Sequence, residues 1–193
     1  MSAPTDILTP PRAQLLYLLF SYETSLEESS LFVANKLAYF LQRLGNKQLN
    51  LRFKRHLYGP YAHQVDHVMY ALNGTYIQGL EQRQARAFER LHLVYDTFPK
   101  IQSYIAEKLS EEQKQRLEQV LTLIEGFESP LSLEALSTVD SILGENPSLQ
   151  PEQVLTQVQD WNTRKKNLFT LHHIQVAYDR LVTFSGELGY GRG

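Results

Sequence analysis

The sequence predicts an α+β fold that is predominantly α-helical, with about eight helices and a small antiparallel sheet of two or three short strands. Three observations carry this expectation. Apolar residues recur at helical spacing along most of the 193 residues, and proline or Ser/Thr caps stand where those stretches begin. Only short stretches near residues 49–53 and 91–95 alternate apolar with polar side chains as a half-buried strand does.

Taken in order, Thr9 followed by Pro10 and Pro11 reads as a cap with proline in the first turn, opening an apolar run through Leu15, Leu16, Leu18, Leu19 and Phe20. Ser25 with Glu28 three residues later has the capping-box pattern and predicts a second helix. Its Phe32, Val33, Leu37, Phe40, Leu41 and Leu44 share one broad face, and Gly45 ends it. Leu49, Leu51 and Phe53 then alternate with Asn50, Arg52 and Lys54 as a strand. Leu91, Leu93 and Tyr95 form a second, and Tyr76-Ile77-Gln78, between Gly74 and Gly79, a short third. Between them, Pro60 is expected to open a helix carrying Val65, Val68, Met69 and Leu72, closed by Asn73-Gly74. The second half reads as helices near 98–109, 111–124, 131–143, 152–160 and 171–184, several opened by Pro99, Ser110, Pro130 or Thr170. Residues 1–185 are expected to form a single domain, and the glycine-rich residues 186–193 a flexible tail.

Composition narrows the function. The formal net charge of −2 is unevenly spread. Residues 35–56 carry Lys36, Arg43, Lys47, Arg52, Lys54 and Arg55 with no acid, whereas residues 96–145 hold ten acids against four bases. The chain is patterned rather than basic throughout, so nonspecific duplex binding is not the leading expectation. It has no cysteine, hence no disulfide, thiol nucleophile or Cys-ligated zinc. No apolar run is long enough to span a bilayer, and residues 1–11 lack the basic start and apolar segment of a signal peptide. A cytoplasmic, non-membrane protein is expected.

Candidate chemistry is sparse. His63 and His67 lie four apart on a predicted helix beside Asp66, but no third metal ligand is identifiable. His172 and His173 are adjacent and so point about 100° apart on a helix. No Gly-x-Ser-x-Gly elbow and no phosphate-binding glycine loop is present, so an enzyme is disfavoured and no cofactor is expected. Tyr58-Gly59-Pro60-Tyr61-Ala62 is more informative. Its glycine and proline set a fixed turn that holds two rings, either as interface anchors or as a packed corner. The only tryptophan, Trp161, precedes Asn162-Thr163-Arg164-Lys165-Lys166, as a partner clamp or a core plug.

Lys36-Leu37-Ala38-Tyr39-Phe40-Leu41-Gln42 with Gly45, Leu51-Arg52-Phe53, and Tyr58-Gly59-Pro60-Tyr61-Ala62 together resemble the C-terminal domain of DarG antitoxins. Gly126-Phe127-Glu128-Ser129-Pro130 with Glu134 to Val139, then Trp161-Asn162 with Arg164-Lys165, continue the same order, so the resemblance covers about residues 10–182. It implies a domain that binds the toxin DarT, an NAD-dependent ADP-ribosyltransferase acting on single-stranded DNA. In that family a separate macrodomain removes ADP-ribose from thymidine in DNA. The chain resembles the toxin-binding part alone, so glycohydrolase activity is not carried over. Leu80-Glu81-Gln82 after Gly79 departs from the family's glycine-rich turn.

The expectation is therefore a noncatalytic antitoxin domain that inhibits a DarT-like toxin by occluding or mimicking its single-stranded DNA substrate. Direct nucleic-acid binding is secondary. Partner-binding candidates are Tyr58, Tyr61, His63, Glu128, Glu134, Trp161, Arg164 and Lys165, with Glu125 and Asp140 adding to an acidic surface able to mimic phosphates. The alternatives are a nucleic-acid-binding regulatory module built on the acid-free segment and, last, a hydrolase acting on ADP-ribosylated DNA.

Overall fold

The computed structural model describes residues 7–81 and 86–191. Among them lie nine α-helices and four short strands, in the order α1 (Pro10–Tyr22), α2 (Leu31–Arg43), β1 (Lys54–His56), β2 (Gly59–Tyr61), α3 (His63–Leu72), β3 (Ile77–Gln78), β4 (His92–Leu93), α4 (Phe98–Lys108), α5 (Glu111–Ile124), α6 (Pro130–Glu145), α7 (Pro151–Trp161), α8 (Thr163–Leu168) and α9 (Leu171–Thr183). The strands form two separate antiparallel pairs, β1 with β2 and β3 with β4. The predominantly helical α+β class stands, with one helix more than expected and two sheets in place of one.

Three helices are covered on all sides and form the interior. α1 buries Ala13 to Leu16, Leu18 to Phe20 and Tyr22, α2 buries every residue from Leu31 to Leu41, and α6 buries Leu133 to Asp140. A helix apolar all round has to be surrounded. α4 and α5 pack on α1, α3 and β2 on α2, and α7 and α9 on α6, while α2 meets both α1 and α6. α2 is thus the spine, and its length between Ser30 and Leu44 carries the β1–β2 hairpin.

Local chemistry explains the helix starts. Thr9 accepts from the Arg12 amide, and Ser110 with Gln113 forms a reciprocal box. Ser129 and Asn162 cap α6 and α8. Two starts differ from expectation. α2 opens at Ser30, whose hydroxyl accepts from the Val33 amide, and Ser25 instead ends a single 3₁₀ turn over Glu23–Ser25. Pro60 lies within β2, because its carbonyl is needed by Lys36 and its ring takes the strand position opposite Arg55.

Residues 49–53 alternate as a strand should but have no strand partner among the described residues. The Leu51 amide donates to Gln42 Oε1 at 2.7 Å and its carbonyl accepts from Gln42 Nε2 at 2.9 Å. The Gln42 side chain thus supplies the two hydrogen bonds a neighbouring strand would have supplied. In the stretch expected as a tail, Leu188 and Tyr190 are buried, and the Tyr190 hydroxyl donates to Asp140. Asp140 also accepts from Tyr39 Oη at 2.6 Å and Arg43 Nε at 2.7 Å, so this network ties α2, α6 and residues 188–190 together. Residues 192–193 and Gln82 lie outside the described residues. No described helix is long and apolar enough to cross a membrane.

Candidate nucleic-acid interface

The β1–β2 hairpin pairs Lys54 with Tyr61, Arg55 with Pro60 and His56 with Gly59, turning through Leu57 and Tyr58. Gly59 sits at φ +100°, and a Cβ there would come 2.9 Å from Thr138 Oγ1 and 3.2 Å from Lys36 Nζ. The hairpin can reach α6 only because this residue has no side chain. Gly59→Ala combines a left-handed backbone with overpacking and is expected to cost about 2–4 kcal/mol in urea denaturation. An unchanged midpoint would show that the hairpin does not depend on this approach.

Beneath the hairpin lies a buried charge cluster. Lys36 Nζ donates to the Pro60 carbonyl at 2.8 Å. Lys165 Nζ donates to Glu134 Oε1 at 2.5 Å and to Thr138 Oγ1 at 3.3 Å, and Arg164 Nη1 reaches the same Glu134 oxygen at 2.5 Å. Lys36, Lys165 and Glu134 are all but inaccessible to solvent. Burial, and secondarily the neighbouring Lys165 charge, lowers the Lys36 pKa to about 7 against the opposing pull of Glu134. Burial lowers that of Lys165 as well.

The outer surface is different. Arg52, Lys54, Arg55, His56, Tyr61, His63 and Gln64 line an open cleft of about 410 Å³. Arg52 and Lys54 form no ion pair among the described residues, and the Arg52 amide donates to Gln64 Oε1 at 2.8 Å. The His56 ring lies 5.0 Å from that of Tyr61, and His63 packs edge-on to both. Partial burial, then the nearby His63 and Lys36 charges, lowers the His56 pKa. Asp66 anchors the floor, accepting from Tyr61 Oη at 2.7 Å and Asn35 Nδ2 at 3.2 Å, with His63 Nδ1 at 3.5 Å. The turn is pinned from α7 and α8, since Trp161 Nε1 donates to the His56 carbonyl at 2.8 Å and Asn162 Nδ2 to that of Leu57 at 3.2 Å.

Tyr58, Tyr61, His63, Glu134, Trp161, Arg164 and Lys165 therefore converge on one corner of the molecule, from segments up to a hundred residues apart. Their exposures differ. Glu134, Lys165 and Tyr61 are buried and hold the corner together, whereas His63 is exposed and Tyr58, Trp161 and Arg164 are half-exposed. Glu128 is not brought there. It is half-buried at the α5–α6 connection, where its carbonyl accepts from Tyr22 Oη. The acidic surface expected from Glu125, Glu128, Glu134 and Asp140 is not continuous, because Glu134 and Asp140 are buried against cations and hydroxyls. No group of three or more potential metal ligands occurs among the described residues, His63 and His67 included. Arg52, Lys54 and Arg55 enter the sequence reading only through the acid-free segment of the nucleic-acid-binding alternative, and His56 is not singled out there. Their signal was the acid-free run 35–56, which the fold concentrates on one hairpin.

This is a helical protein with a basic, ring-lined cleft on a pinned hairpin, a surface suited to a polyanion with planar groups. No family model matches the chain. It is 34% identical to a DNA ADP-ribosyl glycohydrolase of Thermus aquaticus over 183 residues, covering 91% of this chain and 47% of that protein. It is 29% identical over 150 residues to proteins of the same name from Mycobacterium bovis and Mycobacterium tuberculosis, covering 76% of this chain and 42% of each of them. The chain thus spans about half the length of the relatives it matches.

These names bear out the link to DNA ADP-ribosylation. They overturn the expectation of a noncatalytic antitoxin domain inhibiting a DarT-like toxin, and with it the expectation that no enzyme is involved, because the relatives are named for a hydrolysis. The lack of a phosphate-binding glycine loop and of a serine elbow disfavours an enzyme only of those kinds. Hydrolysis at a glycosidic carbon requires neither, since positioned imidazoles or carboxylates can move the protons.

Proposed function

We propose that this chain takes part in removing ADP-ribose from DNA and meets the nucleic acid at the β1–β2 cleft. The observation that carries the reading is the placement of Arg52, Lys54 and Arg55 beside His56 and His63 in one open cleft, in a chain similar to DNA ADP-ribosyl glycohydrolases. Phosphates account for much of the affinity in such complexes, and unpaired Arg and Lys side chains supply it. With the relatives named for DNA, direct nucleic-acid contact moves from a secondary role to the leading one.

Hydrolysis adds water to the ribose anomeric carbon, breaks its bond to the base and returns a proton to the base. A group that accepts a proton and one that returns it are needed within reach. The His56 ring, its pKa lowered by partial burial, and His63, held near Asp66, are groups of that kind.

The test uses an ADP-ribosylated single-stranded oligonucleotide and the purified chain. Arg52→Ala/Lys54→Ala should weaken binding and reduce the slope of log affinity against log salt by roughly 1.4, about 0.7 for each lost phosphate contact. ADP-ribose release, read by chromatography, should fall with it. Undiminished binding and release in the double variant would place the DNA elsewhere, and no release by the unsubstituted chain would remove the hydrolytic reading.

A further inference from the structure

We propose that the hairpin–helix corner is a single-stranded nucleic-acid site, in which Arg55 and Arg164 present flat guanidinium planes on which unpaired bases stack. This rests on the reading that the chain meets DNA, and it adds which form of DNA is taken and by what contacts.

Two guanidinium groups here are built alike. Arg55 lies over the Trp161 ring, 4.7 Å from its centroid, and bonds Glu145 along one edge at 3.0 Å. Arg164 lies over the Tyr58 ring, also at 4.7 Å, and bonds Glu134 along one edge. Each guanidinium carbon lies over a ring and each group bonds a carboxylate, yet the Arg55 side chain keeps 47% of its surface exposed and that of Arg164 36%. A planar cation held beside a ring and tethered by a carboxylate, with this much of its surface open, is placed to take a further planar group.

The supports are themselves fixed. Trp161 is bonded to the His56 carbonyl, and Tyr58 is wedged edge-on against Phe32 and Phe88. Trp161 already has Arg55 and the Lys165 ammonium against its ring, so an incoming base meets the guanidinium rather than the indole. Stacking on arginine planes needs bases free of their partners, which duplex DNA does not offer and a single strand does. Arg52 and Lys54, without ion-pair partners among the described residues, take the phosphates alongside.

The experiment follows fluorescence anisotropy of a labelled oligothymidylate of about twelve nucleotides, a length within the usual span of a single-strand site, and of the corresponding duplex. Arg55→Lys and Arg164→Lys keep the charge and remove the plane. Each should weaken single-strand binding roughly tenfold, as loss of one stacked base does, with the salt slope unchanged. Arg55 is exposed, so its substitution should leave the melting temperature unaltered, and Arg55→Lys alone decides the matter if Arg164→Lys unfolds the corner.

Binding that depends on salt but ignores Arg→Lys would overturn the stacking and leave the phosphate contact in place. Duplex bound as tightly as single strand would overturn the single-strand assignment. Equal competition by poly-glutamate would show an acidic protein segment to be the occupant. No binding of either DNA form would remove the DNA reading together with this one.

Discussion

Replacing Lys36 by methionine will reverse sign with pH: the variant is expected to be at least as stable as the natural chain near pH 6 and less stable near pH 10. In the fold the Lys36 ammonium titrates at about 7, lowered chiefly by burial, whereas the unfolded chain carries it as an ordinary lysine near 10.5. Between those values the unfolded state binds more protons, so stability rises with pH across the window. The penalty is complete below about pH 7 and absent above about 10.5. Its full size is on the order of 5 kcal/mol. Methionine has nearly the same length and no charge, so it removes that penalty. It also leaves the buried Pro60 carbonyl without its donor, at about 1–3 kcal/mol, which is felt at every pH.

The tyrosines set the upper limit. Burial, assisted by nearby carboxylates, raises the pKa of Tyr39, Tyr61 and Tyr190 well above 10. The unfolded chain therefore ionises first, and stability falls again above about pH 10. Urea denaturation from pH 6 to 11 should show a maximum on the alkaline side of neutrality, flattened in Lys36→Met. Lys165, shifted in the same direction, preserves part of the slope. A natural chain equally stable at pH 7 and pH 9 would show that Lys36 is not desolvated.

Glu134→Ala is expected to be the most damaging single change in the cluster, at about 3–5 kcal/mol. Glu134 is the shared carboxylate of Lys165 and Arg164, and its side chain is 2% exposed. Its removal leaves the Lys165 ammonium buried with Thr138 as its remaining side-chain acceptor among the described residues. For a chain of this length that is a fall of roughly 6–20 °C in melting temperature. The double substitution Glu134→Leu/Lys165→Met takes out both buried charges and should recover most of the loss, since a well-packed apolar pair can match a buried ion pair. If the double variant is no better than the single one, packing rather than charge balance decides stability at this position.

The hairpin shows why parts of the site were legible and parts were not. Tyr58-Gly59-Pro60-Tyr61 marks a constrained turn by its residue types, and the acid-free run before it is visible without coordinates. Which rings and charges face outward is not. Tyr58 and Tyr61 look equivalent in sequence, but Tyr61 is buried with its hydroxyl on Asp66, while Tyr58 is half-exposed beneath Arg164. Gln42 is similarly opaque. Nothing in a helix-face glutamine says that it will satisfy the backbone of Leu51 and deny that segment a strand partner.

By itself the sequence determined the helix-rich class and the starts of α1, of α4 to α7 and of α9, because caps and apolar spacing act between residues three or four apart. Ser129 and Pro130 open α6 whatever lies around them. Only the tertiary structure decided that Glu134 meets Lys165 thirty-one residues on, that Lys36 reaches Pro60, and that Tyr190 closes on Asp140. Those pairings depend on which helices pack against each other, and the cost of burying a charge is set by the groups brought to it from distant parts of the chain.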